Sequence, residues 1–171
     1  EVKIPSAPLL LRTSAFILFS LFFWNLVFPQ TSAMGKMQEG LKLFSSGDVD
    51  GAAKIFQEII QENPQHGPAR LMLGQIALEH GDIQQAQQHL EIAVASKPQR
   101  IQLAWHLLGK VYLFQKEYQK ALDAFDQSLK ESPDFKPAFL ERARAKIFLN
   151  QIDSAVEDLQ KINEPESELL L

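Results

Sequence analysis

From Gly35 to Ile162 apolar residues recur at three- and four-residue intervals, in stretches broken by short polar segments. In one such block Trp105, Leu108 and Tyr112 share one helical face, and Ala121, Leu122, Phe125 and Leu129 share another, so two amphipathic helices folded into a hairpin are predicted. Gly109 and Ala121 are small enough to let those helices approach closely, and Pro133 cannot continue the second one. The same succession of glycine, alanine, large apolar residue and proline appears earlier, at Gly40, Ala52, Phe56 and Pro64, then 34 residues later at Gly74, Ala86, Leu90 and Pro98. The next step, to Pro133, is one residue longer, which places the extra residue in the loop K-P-Q-R-I-Q. From Lys136 onward, Phe139, Ala143, Ala155, Leu159 and Ile162 fall where a fourth hairpin requires them.

Each hairpin is punctuated at its middle: Ser45 to Asp48, His80 to Asp82, Gln115 to Glu117, and Leu149 to Gln151. Glycine suits the left-handed residue that ends a helix, and aspartate caps the helix that follows. Helices are therefore expected near 34–46, 49–62, 67–80, 83–96, 102–115, 118–131, 136–149 and 152–163.

Trp105, Leu108, Gly109, Tyr112, Ala121, Phe125 and Pro133 match the spacing of a tetratricopeptide repeat, and on these residues the chain resembles that family. The resemblance implies an all-α, right-handed superhelical solenoid of four helix-turn-helix repeats over residues 34–165, the repeats lying at about 33–66, 67–101, 102–135 and 136–165. Lys36 and Arg70 stand where the third repeat has Trp105, and Ala143 where it has Gly109, which bears on packing detail rather than fold. The tail, 166–171, ends in three leucines that need cover, and no full capping helix follows Ile162.

Family members bind peptides or helices on a concave face lined by the first helix of each repeat. Carried onto this sequence, the lining is Met37, Leu41 and Phe44; Leu71, Gln75 and Leu78; His106, Lys110 and Leu113; and Leu140, Arg144 and Ile147. This strip is apolar for a surface facing water, and such patches mark interaction sites. Lys110 and Arg144, one period apart, are expected side by side as an anchor for a carboxylate. The clamp that holds chaperone C-termini in some relatives needs basic and asparagine side chains where this chain has Met37, Leu41 and Gln75, so helix-in-groove recognition fits better.

The first 33 residues differ in kind. No charge occurs from Thr13 to Gly35, and Ala15 to Phe28 is almost wholly apolar. A helix needs ~20 apolar residues to cross a bilayer, and residues 8–28 suffice if Arg12 snorkels to the headgroups. A single-pass anchor over residues 1–33 is expected, with Ser20 and Asn25 available to contact a neighbouring membrane helix. The alternative is a signal peptide, with Arg12 before the apolar run and Thr31-Ser32-Ala33 before a cut, releasing a secreted or periplasmic peptide-binding adaptor. Lys3 and Arg12 precede the run while Lys36 and Lys42 follow it, so the orientation expected, repeats on the extracytoplasmic or periplasmic side, rests on Arg12 lying close to the apolar run.

Composition narrows the chemistry. A net charge of −4 argues against a nucleic-acid partner, and the lack of cysteine removes disulfides, thiolate metal sites and cysteine nucleophiles. His66, His80, His89 and His106 show no metal-ligand spacing on one helix face and are expected on the surface or in loops. Asp48, Asp50 and Gly51 resemble a fragment of a calcium loop, but the other oxygen ligands are missing, and a helix cap is the better reading. No cofactor, metal or catalytic residue is assigned. The expected function is a membrane-tethered protein interaction scaffold, an assembly factor or accessory subunit whose partners are membrane-complex subunits or a helical or extended peptide, with the bilayer engaged through residues 8–28.

Overall fold

The computed structural model describes residues 33–163, which form eight helices: α1 (33–45), α2 (Val49–Glu62), α3 (Gly67–Glu79), α4 (Ile83–Ala95), α5 (Ile101–Phe114), α6 (Tyr118–Glu131), α7 (Lys136–Phe148) and α8 (Ile152–Asn163). From α2 onward each boundary lies within one residue of the expected one. The expected membrane segment, with Ser20 and Asn25, and the tail at 166–171 lie outside the described residues. Among the described residues no helix is long and apolar enough to cross a membrane.

Capping fixes where the helices start. Asp48 accepts from the Gly51 backbone N–H at 2.9 Å and Asp82 from that of Gln85 at 3.1 Å, so both serve as helix caps. His66 plays the same part for α3, its Nδ1 accepting from Ala69 N–H at 3.2 Å. The turn inside each hairpin needs one left-handed residue, which is Gly47 and Gly81 in the first two repeats and Lys116 and Asn150 in the last two.

Packing follows the small residues. A Cβ added to Gly74 or Gly109 would lie 2.5 Å from the side chain of Leu90 or Phe125, so only glycine lets those side chains seat fully. Phe56, Leu90 and Phe125 are completely buried, as are Ala52, Ala86 and Ala121. Consecutive helices pack on each other from α2 to α8, and α5 also touches α3 and α7, so the odd-numbered helices line one side of the stack.

The irregular first-helix position is satisfied three ways. Lys36 reaches Glu58 and Glu62 on α2 at 3.1 and 2.8 Å, Arg70 meets His89 on α4 at 3.0 Å, and in the fourth repeat Phe139 lies beneath Arg142 and Lys161. Between α7 and α8 a charge cluster is buried. Asp158, 2% exposed, accepts from Arg142 Nε and from Lys146 Nζ, each at 2.8 Å.

Candidate interaction groove

Helices α3, α5 and α7 enclose two adjoining depressions on their shared side. The first, about 200 Å³, lies between α3 and α5 and is lined by Gln75, Leu78, Glu79, Leu107, Lys110 and Phe114. The second, about 180 Å³, lies between α5 and α7 and is lined by Lys110, Leu113, Phe114, Glu141, Arg144 and Phe148. Lys110 and Phe114 border both, so the trough is two adjoining depressions with an ammonium and an aromatic ring between them.

The expected lining separates by position. Gln75, Lys110 and Arg144 stand at equivalent places and all line the trough, as do Leu78 and Leu113 one helical turn later. Leu71 and His106 do not line it. Both are buried, at 4% and 8% exposure, because their position in the first helix of a repeat faces the repeat that follows. Leu71 joins a core shared with Leu107, Leu108 and Val111, and the His106 ring sits edge-on to Phe135, 5.4 Å between centroids. Leu140, at the equivalent place in the last described repeat, is exposed. Met37 and Phe44 are partly buried against the first core, and Leu41 is exposed on α1, away from both depressions.

The surface location expected for the histidines is likewise corrected for His106. Burial, with the nearby Lys110 charge adding to it, pushes its imidazole down to about 4, so it is neutral at pH 7. Its Nδ1 has no hydrogen-bond partner among the described residues.

The charges of the trough are partly self-satisfied. Arg144 pairs with Glu141, one turn earlier on α7, at 2.9 Å, and Gln75 donates to Glu79 at 3.1 Å. Lys110 makes no ion pair with any described residue. Of the two cations expected to stand together, Arg144 is thus engaged by Glu141 and Lys110 is not. Phe114 and Phe148, 63% and 56% exposed, were not among the expected residues. Their signal was available: both are the last residue of their helix and stand one period apart. Among the described residues no group of three or more acidic or histidine side chains could hold a metal.

An array of helical hairpins with a trough along one side defines an interaction repeat protein. Two family models, both described as tetratricopeptide repeat, match residues 43–111 and 102–135, and the chain belongs to that family. It is 30% identical over 107 residues to anaphase-promoting complex subunit 3 of Schizosaccharomyces pombe, a match covering 63% of this chain but 16% of that much longer protein. The fold is similar to that of the MamA 41-end fragment from Desulfovibrio magneticus RS-1, with a TM-score of 0.69 at 22% identity over 81% of this chain and 78% of that one. YrrB, described as a TPR protein with an unusual peptide-binding site, gives a TM-score of 0.69 at 13% identity over 79% of this chain and 69% of its own. At such identities these likenesses speak to the fold.

Proposed function

We propose that this protein is a membrane-tethered interaction scaffold that holds a helical or extended segment of a partner in the trough between α3, α5 and α7. The observation that carries the reading is the centre of that trough, where the unpaired Lys110 stands beside the exposed ring of Phe114. Exposed aromatic rings around a cation favour a segment offering an apolar side chain with a carboxylate close by. The uncharged stretch from Thr13 to Gly35 supports the tether, and it makes subunits of a membrane complex the natural partners. Asn25 within it supports contact with a neighbouring membrane helix.

The test is purification of the full chain in mild detergent, with quantitative mass spectrometry, beside a Lys110→Glu, Phe114→Ala double variant. A stoichiometric membrane protein should co-purify with the native chain and drop at least about tenfold with the variant, a loss of about 1.4 kcal/mol. An unchanged partner set would remove the trough from the reading. Extraction of membranes at alkaline pH should leave the chain in the pellet; release into the supernatant, with a mature N-terminus just after Ala33, would replace the tether with a secreted adaptor.

A further inference from the structure

The trough is built in rows, because equivalent residues of α3, α5 and α7 stand one repeat apart. Gln75, Lys110 and Arg144 form one row, and one helical turn further along Glu79, Phe114 and Phe148 form a second. Leu78 and Leu113 line the space near them, and Ile147, at the equivalent place on α7, is 51% exposed. The second row is therefore a carboxylate followed by two exposed rings. Glu79 and Lys110 line the same depression, and neither makes an ion pair with any described residue. In the adjoining depression Arg144 and Glu141 satisfy each other, and Phe148 is backed by Tyr118, stacked at 4.5 Å. One depression thus offers two unmatched charges of opposite sign, and the other an aromatic plate beside a neutralised pair.

The spacing of those groups selects a backbone for what enters. Helix α5 touches both α3 and α7, and helices in contact lie ~8–10 Å apart, axis to axis. A polyproline II segment has three residues per turn and rises ~3.1 Å per residue, so one edge of it recurs every ~9.3 Å, the step between repeats. Side chains on one face of a β-strand recur at ~6.6 Å and fall out of step, and the described residues offer no sheet edge for a strand to extend. An α-helix crossing the rows would be a cylinder ~10–12 Å wide. Depressions of about 200 and 180 Å³ are smaller than the ~300 Å³ of the smallest ligand pockets and admit single side chains rather than a helix. Proline is compact, packs on aromatic rings and is already confined to the polyproline II backbone, so it loses little entropy on seating.

We infer that the trough takes a polyproline II segment of a partner, with two prolines three residues apart on Phe114 and Phe148, a basic residue one further turn away over Glu79, and a carboxylate facing Lys110. This rests on the trough being the binding surface, and adds the conformation and residue spacing of its occupant. Polyproline II is threefold, so prolines facing the second row turn the residues between them to the other edges, one of which meets the first row. The carboxylate therefore falls one or two residues from the proline over Phe114. Arg144, already held by Glu141, calls for no second one. The unlike charges also set the order, with the basic end of the segment over α3 and the second proline over α7.

The probes are fluorescent synthetic peptides titrated against the detergent-solubilised full chain. The first carries arginine, proline and proline at three-residue intervals, with glutamate beside the first proline; the second has the same composition with the intervals broken; the third has alanine for both prolines. The first should bind saturably and the other two at least about tenfold more weakly. Phe114→Ala and Phe148→Ala should each weaken the first peptide about tenfold with helicity unchanged; if Phe148→Ala loses helicity, Phe114→Ala decides. Glu79→Arg should weaken the arginine peptide and strengthen one with glutamate in the arginine's place, a reversal that loss of folding would not produce. Equal binding of the first two peptides, or binding indifferent to both rings, would overturn the proposal. Tighter binding of the alanine peptide would overturn it in favour of a helical occupant, and so would the absence of saturable binding by any of the three. In each case the trough itself is judged separately, by whether the Lys110→Glu, Phe114→Ala variant loses its co-purifying partner.

Discussion

The third and fourth repeats share a hairpin geometry but not the forces that hold it. In the third, Gly109 admits the ring of Phe125, and shape complementarity closes the core around completely buried carbon. In the fourth, Ala143 stands in the place of the glycine, Leu159 in the place of the ring is 37% exposed, and the helices are joined by Asp158 between Arg142 and Lys146. Burial opposes the charge on Asp158, but hydrogen bonds from Arg142 and Lys146 outweigh it and hold the carboxyl below its ordinary range. One backbone plan is thus closed by packing in the third repeat and by paired charge in the fourth.

The sharpest way to break that comparison is to put an unpaired charge into the packed repeat. Ala121→Asp should cost more than about 4 kcal/mol, since the site is fully buried with no cation beside it, and the cooperative melt followed by circular dichroism should be lost. A native-like melting curve would refute the packing described for α5 and α6. Next comes the charged repeat: Asp158→Ala leaves Lys146 without a carboxylate and Arg142 with Asp126 alone, and should cost about 3 kcal/mol. Because each hairpin is held by its neighbours, faster amide exchange should be confined to α7 and α8. Equal acceleration in α2 to α4 would show that the array unfolds as one unit.

Acid should separate the two repeats by their titrating groups. The folded His106 titrates at about 4, below the usual imidazole value, so between those values only the unfolded chain takes up the proton. Stability is therefore complete near neutrality and falls as pH drops from about 6.5 toward 4, by at most ~3 kcal/mol. Asp158, a depressed carboxyl, keeps its contribution above the ordinary carboxylate range and loses it only as pH falls through its lowered folded value. His106→Leu should flatten the decline in melting temperature between pH 7 and 4.5. His66 and His89, both lowered by burial, leave a residual slope in the same direction. The smallest effects sharpen the comparison sterically: Gly109→Ala should cost ~1–3 kcal/mol in urea denaturation, whereas Ala143→Gly should cost only ~1.

Helix limits were legible because the residues that set them act locally: Asp48 and Asp82 cap, Gly47 and Gly81 turn, and Pro64 and Pro133 interrupt, each without reference to the rest of the chain. The trough was legible only in part. A helix between two neighbours has three working faces, toward its own hairpin partner, toward the next repeat and toward the trough, and periodicity alone does not rank them. Gln75, Lys110 and Arg144 line the trough, whereas Leu71 and His106 lie one face over and close the joint between repeats. The pairing of Arg144 with Glu141 was also visible in the spacing, as a turn of helix, yet its effect on the anchor appears only once Lys110 is seen across the same depression.

Because the main packing contacts among the described residues join each helix to the next and reach no further than the neighbouring repeat, the array has a mechanical character as well as a thermodynamic one. Pulled from its ends, it has no long-range staple that must rupture first. Hairpins should peel away singly, each releasing roughly 110 Å of chain for a 34-residue unit. A load applied through this protein would be met by a series of small yields, and each lost hairpin could refold against the neighbour it left.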